Sequence, residues 1–226
     1  MVDLSWQGDV AVVTMGDPAT VDDEARFDGP TVARWHEVLD EVEAKEGPCA
    51  LVTTGRGKFY SNGLDLTWLG TEGNDSAAML RDIHRLWGRV LGLGMVTVAA
   101  VNGHAFGAGA LLSSAHDRIV MREDRGYWCM PEVDIHLPVG RAMTELLLAN
   151  LPRQAILHAL VTGHRFTGTE ALEAGIAAEV APADEVLDRA VTWAAALAHK
   201  DRAVIAAHKR ILHGPTLDAL AGDELI

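Results

Sequence analysis

Residues 101–117 read VNGHAFGAGALLSSAHD, and the fold turns on this stretch. It opens where an apolar run of β-forming residues, Val96 to Val101, comes to an end. Gly103, Ala105, Gly107, Ala108, Gly109 and Ala110 then leave little side chain over the backbone, and Leu111-Leu112 starts a helical apolar pattern. The order strand, glycine-rich turn, helix start leaves backbone N–H groups bare at a point that a ligand can approach closely. Such a place suits negative charge. By itself the pattern leaves open whether that charge is a phosphate or an enolate oxygen.

The flanking sequence repeats the theme. Val10–Met15 and Cys49–Thr54 are short apolar runs rich in β-formers, each stopped by glycine, and Asp117–Met121 is a further one. Between them, residues 30–46 place Val32, Trp35, Val38, Leu39 and Val42 at helical spacing, with Pro30 near the start and Gly47-Pro48 at the end. Residues 75–92 do the same with Leu80, Ile83, Leu86, Trp87 and Val90, and residues 58–66 read as a loop. Strands apolar at every position, alternating with helices, imply an α/β fold whose parallel sheet is covered on both faces. Beyond residue 140 the pattern is mainly helical. Ala171–Gly175 resembles a helix closed by glycine, and residues 184–213 supply two more helices. The expected organisation is a core over 1–185 and a C-terminal helical region over 186–226.

At 226 residues the chain can bury a substantial core. A formal charge of −13 argues against a nucleic-acid partner, because neutralising phosphates needs a basic face. Cys49 and Cys129 lie far apart in apolar settings and suggest neither a disulfide framework nor a metal site. No apolar stretch reaches the ~20 residues of a membrane span, and the first residues lack the features of a signal peptide. A cytoplasmic setting is the expectation.

Three segments, taken together, resemble the crotonase superfamily, the enoyl-CoA hydratase/isomerase group. The first is Gly57 to Leu66, GKFYSNGLDL, similar to the family's F-x-x-G-x-D-[LI] loop. The second is the stretch quoted at the outset, and the third is Gly168 to Val180, GTEALEAGIAAEV. The resemblance implies a spiral of ββα units with a helical C-terminal region and assembly as a homotrimer or a dimer of trimers. It implies an acyl-CoA partner, with coenzyme A arriving as part of the thioester and no permanently bound cofactor or metal. By motif position the thioester oxygen would lie between the backbone N–H groups of Leu64 and Ala108, with Gly63, Gly107 and Gly109 shaping the binding loops. Two preorganised donors stabilise an enolate more than a neutral carbonyl, which lowers the barrier to its formation. Asp65 reads as a carboxylate that fixes its own loop.

Hydratases of this family hold water between two glutamates. The first would fall at Leu111 and the second at Glu132 of Pro131-Glu132. A leucine can neither orient nor deprotonate water. Shifting a double bond needs one base only, so the pattern points to the Δ3-Δ2-enoyl-CoA isomerase branch, with Glu132 as the single acid/base. A hydratase or other crotonase reaction, and a non-catalytic acyl-CoA-binding or assembly subunit, are the competing expectations. His136 is either a second proton carrier or a packed or surface histidine. Arg26, Lys58 and Lys209, with Arg56 and Arg210, are candidates for the CoA phosphates, although Asp22, Asp23 and Glu24 beside Arg26 would repel a nucleotide. Trp68, Trp87 and Trp128 are candidates for the acyl pocket or the core.

Overall fold

A computed structural model describes residues 1–20 and 23–222. Its main sheet has six strands. β1 (Val2–Gln7) and β2 (Val10–Met15) form an antiparallel hairpin, with Val2 opposite Met15. β2 is followed laterally by β3 (Ala50–Gly55), β5 (Val96–Val101), β7 (Arg118–Arg122) and β9 (Glu179–Ala181), all parallel. The expected apolar strands are these central ones, and side-chain alternation explains their composition. Val10, Val12, Ala50, Val52 and Val98 belong to a core layer closed by α8 (Val186–Leu197) through Ala190 and Ala194. Ala11, Val13, Leu51, Ala99 and Val101 belong to the larger core on the other side.

That larger core is closed by α1 (Gly29–Ala44) and α3 (Ser76–Gly92). Both begin as their sequences dictate. Asp28 accepts from Thr31 N–H at 2.7 Å, and Asp75 from Ala78 N–H at 2.9 Å.

A second sheet is absent from the periodicity reading. β4 (Phe59–Ser61), β6 (His104–Phe106) and β8 (Trp128–Cys129) pair in parallel. Residues 58–66 are therefore not a simple loop, and the glycine turn itself holds a strand. Strands this short carry no readable period. Each lies directly after a strand of the main sheet, and helices follow: α2 (Leu66–Leu69) and α3, then α4 (Ala108–Ser114), then α5 (Arg141–Asn150). This is the ββα spiral that the family resemblance implies. β1 was likewise unforeseen, although Val2, Leu4 and Trp6 alternate with Asp3, Ser5 and Gln7 as on an edge strand.

The remaining helices are α6 (Arg153–Thr162), α7 (Gly168–Glu173) and α9 (Arg202–Ala221). Helix α9 outruns the expected end near residue 213 and keeps Pro215 in its interior. Its last turns bury Thr216 and Leu220, and a Cβ on Gly88 of α3 would lie 3.4 Å from that of Leu220. Packing outweighs the lost hydrogen bond. Further back on α9, Lys209 Nζ donates to Asp117 Oδ2 at 2.8 Å and to Met95 O at 2.9 Å. Asp117 also accepts from Thr97 N–H at 2.8 Å. The helix is thus bolted to β5 and to the entry of β7.

A buried polar chain joins the two sheets to α4. His116 contacts Leu112 O through Nδ1 at 2.8 Å and Thr53 Oγ1 through Nε2 at 3.0 Å. The carbonyl must accept, so Nδ1 carries the proton and Nε2 accepts from the threonine hydroxyl. Thr53 Oγ1 in turn accepts from Tyr60 O–H at 2.7 Å. Burial pushes His116 down to about 4. The unfolded chain takes its proton first, near pH 6.5, so stability is lost as pH falls from there toward 4. Relative to His116→Asn, the parent should lose up to about 3 kcal/mol across this window in denaturant melts, a difference that isolates the histidine from other groups titrating there.

Candidate active site

The loops after β4 and β6 meet over a cavity of about 320 Å³. The first loop is held from one side only. Phe27 N–H donates to Gly63 O at 2.9 Å, Asp65 N–H to Phe27 O at 2.9 Å, and Asn62 N–H to Glu24 O at 2.8 Å. Successive amides of an extended segment point to opposite sides, which leaves the N–H of Leu64 turned away from this pairing. Gly63 holds φ +88°, and a Cβ there would lie 2.9 Å from Phe106 O and 3.4 Å from Ala108 N. The two loops therefore touch through backbone.

In the second loop, Gly107 N–H donates to Cys129 O at 3.0 Å and Gly107 O accepts from Leu111 N–H at 2.9 Å. Ala108 stands at the first helical position of α4, where an amide has no intrahelical partner. Among the described residues, neither Leu64 N–H nor Ala108 N–H donates to a protein acceptor. Both residues line the cavity. Gly107 adopts φ 50°, ψ −114°, a conformation open in practice to glycine alone.

Glu132 reaches the same point from the turn after β8. A Cβ on Gly107 would lie 3.0 Å from its Oε1, and its buried Oε2 has no hydrogen-bond partner among the described residues. Leu64, Leu66, Leu69, Leu80, Phe106 and Met143 give the cavity its apolar character, and Glu132 is the one acid among its described walls. Burial raises the Glu132 carboxyl to about 7. A carboxyl so placed exists in both protonation states near neutral pH, as a proton carrier requires.

The other sequence candidates divide clearly. Leu111 is 1% exposed, joins the large core and is not among the cavity walls. Asp65 caps α2, accepting from Trp68 N–H at 3.0 Å, as expected. His136 is exposed, with φ +58°, and lies outside the cavity walls. Trp87 lines the cavity, whereas Trp128 is buried in β8 and its Nε1 donates to Ser113 Oγ at 3.2 Å. Trp68 packs on Gly29. Gly109, expected at the ligand, is a packing glycine instead: a Cβ there would lie 2.5 Å from Ser61 O.

The basic candidates are not brought together. Lys209, expected at the CoA phosphates, is 6% exposed and committed to Asp117. Arg26 pairs with Glu24 beside a polar cavity that Asp17, Asp23 and Asp28 also line. Asp22, part of that acidic run, lies outside the described residues. Lys58 stands over the Phe59 ring, near Arg125, and Arg56 and Arg210 pair with Asp3 and Asp218. Sequence reasoning missed His84, which lines the cavity from α3. It shares a helical stripe with Leu80, Trp87 and Leu91, and that spacing was the available signal.

A ββα spiral whose two glycine loops meet over a buried carboxyl is a crotonase fold. Residues 6–223 match the sequence profile of enoyl-CoA hydratase/isomerase. Enoyl-CoA delta isomerase 3 of Arabidopsis thaliana is 34% identical over 208 residues, 88% of this chain and 86% of its own. The 2,3-dehydroadipyl-CoA hydratase of Escherichia coli K12 is 28% identical over 180 residues, covering 78% and 69%. A Mycobacterium tuberculosis protein, described once as a probable enoyl-CoA hydratase and once as an enoyl-CoA isomerase, superposes with TM-scores of 0.88 and 0.87. It is 28% identical, and the match covers 97% of this chain and 91% and 93% of the two solved chains. The chain belongs to the enoyl-CoA hydratase/isomerase family.

The geometry of the second loop is testable without substrate. Gly107→Ala should cost about 1–3 kcal/mol in denaturant melts, because alanine is strained at this φ and its Cβ presses on Glu132. Gly214→Ala, in open space on α9, should instead gain about 0.5–1 kcal/mol.

Proposed function

We propose that this protein isomerises 3-enoyl-CoA to 2-enoyl-CoA, with Glu132 as the only acid/base. The observation that carries this reading is a single carboxyl, raised to about 7, in an apolar cavity walled by two unengaged backbone amides. The thioester oxygen lies between Leu64 N–H and Ala108 N–H. Ionised Glu132 takes a proton from C2, the electron pair spreads over the dienolate, and the oxygen carries most of the charge. Glu132, now protonated, returns the proton to C4, and the double bond ends conjugated with the thioester. Atoms balance without water or a second acid. Leu111 supplies no group that could activate water, and the apolar walls keep water from the dienolate.

Gly63 and Gly107 support this arrangement by letting the two loops close without side chains in the way. Arg26 and Lys58, which line other surface cavities, remain candidates for the CoA phosphates. A homotrimer or dimer of trimers is part of the same reading, and Ile211 and Leu212, 78% and 72% exposed on α9, offer apolar surface for a neighbour.

Incubation with a 3-enoyl-CoA should yield the conjugated product, read by ultraviolet absorbance. The rate should rise with pH through about 7, because only the ionised carboxylate accepts the first proton. Glu132→Gln should lose roughly 10²–10⁴ of the rate. The same variant should be more stable than the parent above pH 7, by up to about 3 kcal/mol, and the gain should vanish near pH 4. The sign follows from the raised carboxyl: the unfolded chain ionises first, so Glu132's own contribution to stability is lost as pH rises from about 4.5 to 7. Hydration of a 2-enoyl-CoA at an ordinary enzyme rate, with no double-bond shift, would replace this reading with a hydratase.

A further inference from the structure

Asn62 stands in the cavity wall two residues before Leu64, and the isomerisation gives it no task. One residue clamps it twice. Its backbone N–H donates to Glu24 O at 2.8 Å, and its Nδ2 donates to Glu24 Oε2, also at 2.8 Å. A carboxylate only accepts, so the NH2 end of the side chain must face Glu24 and the oxygen end is turned away from it. Glu24 is itself paired with Arg26, which holds the carboxylate in place. Asn62 Oδ1 accepts from no group among the described residues. It differs from the unpartnered nitrogens sealed inside the core: the residue is half-buried, and Oδ1 is not among the atoms shut off from solvent. Asn62 lines the acyl cavity and not the polar cavity of Glu24 and Arg26, so its free oxygen belongs to the acyl side.

We propose that Asn62 Oδ1 accepts a hydrogen bond from the arm of the thioester, at the amide N–H nearest the sulfur, and so selects coenzyme A thioesters by that amide. The proposal rests on the reading of the cavity as an acyl-CoA site with its thioester oxygen between Leu64 and Ala108. In coenzyme A, two carbons separate the sulfur from this amide. Two residues of chain span at most about 7 Å, which matches the reach from a thioester oxygen at Leu64 to an amide that far along the arm. Glu24 and Arg26 stand on the far side of Asn62, so an arm leading from Leu64 toward Arg26 runs past the oxygen. An amide N–H taken out of water needs an acceptor, and one already fixed in place costs little ordering when the arm arrives. Glu24 is then a positioning residue, acting on the ligand only by fixing which end of Asn62 meets it.

The test is calorimetric titration of the intact protein with two saturated thioesters, which bind but cannot isomerise. One is octanoyl-CoA. In the other, the amide nearest the sulfur is replaced by an ester, which exchanges the N–H for an oxygen and alters little else. The parent should bind the amide form about tenfold more tightly, and Asn62→Ala should bring that ratio close to one. If Asn62→Ala fails to fold, Asn62→Cys, whose sulfur is only a weak acceptor, takes its place. Glu24→Gln, whose side chain can donate to Oδ1 and turn the Asn62 amide round, should lower the ratio as well, and a ratio kept there would overturn the positioning role. Equal affinities for the two ligands in the parent would overturn the proposal and leave isomerisation standing. So would a ratio unchanged in the Asn62 variant, the result expected if the side chain only fixes its loop. Amide-selective binding without turnover of a 3-enoyl-CoA would support the subsite and reject the isomerase. Failure to bind either ligand would reject both.

Discussion

The segments 58–63 and 103–109 run together more closely than side chains permit, and the site depends on this approach. A Cβ on Gly103 would lie 2.1 Å from Lys58 O, and one on Gly109 would lie 2.5 Å from Ser61 O. Since real Cβ atoms do not come that near to a backbone oxygen, glycine is the one residue that allows these contacts. The consequence is geometric. Because β4 and β6 lie backbone to backbone, the residues that follow them, Leu64 and Ala108, line the same cavity. In the proposed reaction no side chain has to be positioned to supply the two donors.

The second requirement is opposed to the first in its energetics. Backbone packing stabilises the fold, whereas Glu132 in apolar surroundings destabilises it once ionised. The same desolvation that costs stability lifts the carboxyl to about 7, into the range where it can both take and return a proton. The surrounding frame offsets this cost. Asp117 binds Thr97 and Lys209 at once, and His116 bridges Thr53 to Leu112, so each end of the spiral turn is held by groups that are all satisfied. Lys209 belongs to that frame, which is why its charge is not available for a phosphate.

What was legible in the sequence follows what leaves a period or a motif. The central strands and α1, α3 and α8 bury regular stripes, and those stripes are visible as spacing. The two- and three-residue strands of the small sheet have no period to read, and the family resemblance alone anticipated them. Pro215 reads as a helix end, yet Thr216 and Leu220 pack well enough to carry α9 past it. Roles set by long-range partners were hidden too: nothing near Lys209 in sequence announces Asp117. Glu132 is legible because a motif carries it, whereas His84 lies within an apolar helical stripe and only its spacing marks it.

Relatives that share this fold carry both hydratase and isomerase names, so the fold does not choose between the reactions. The choice rests on how many proton carriers face the substrate. Adding water takes one group to activate the nucleophile and a proton for the carbon, and two carboxylates can share those duties. Leu111 lies in the core and Glu132 is the only acid in the described cavity wall, so in the proposed reaction one group serves as both base and acid. A single carboxyl can do so only if the proton it removes is the proton it gives back. On this reading, double-bond migration is the reaction that asks no more of the site than it contains.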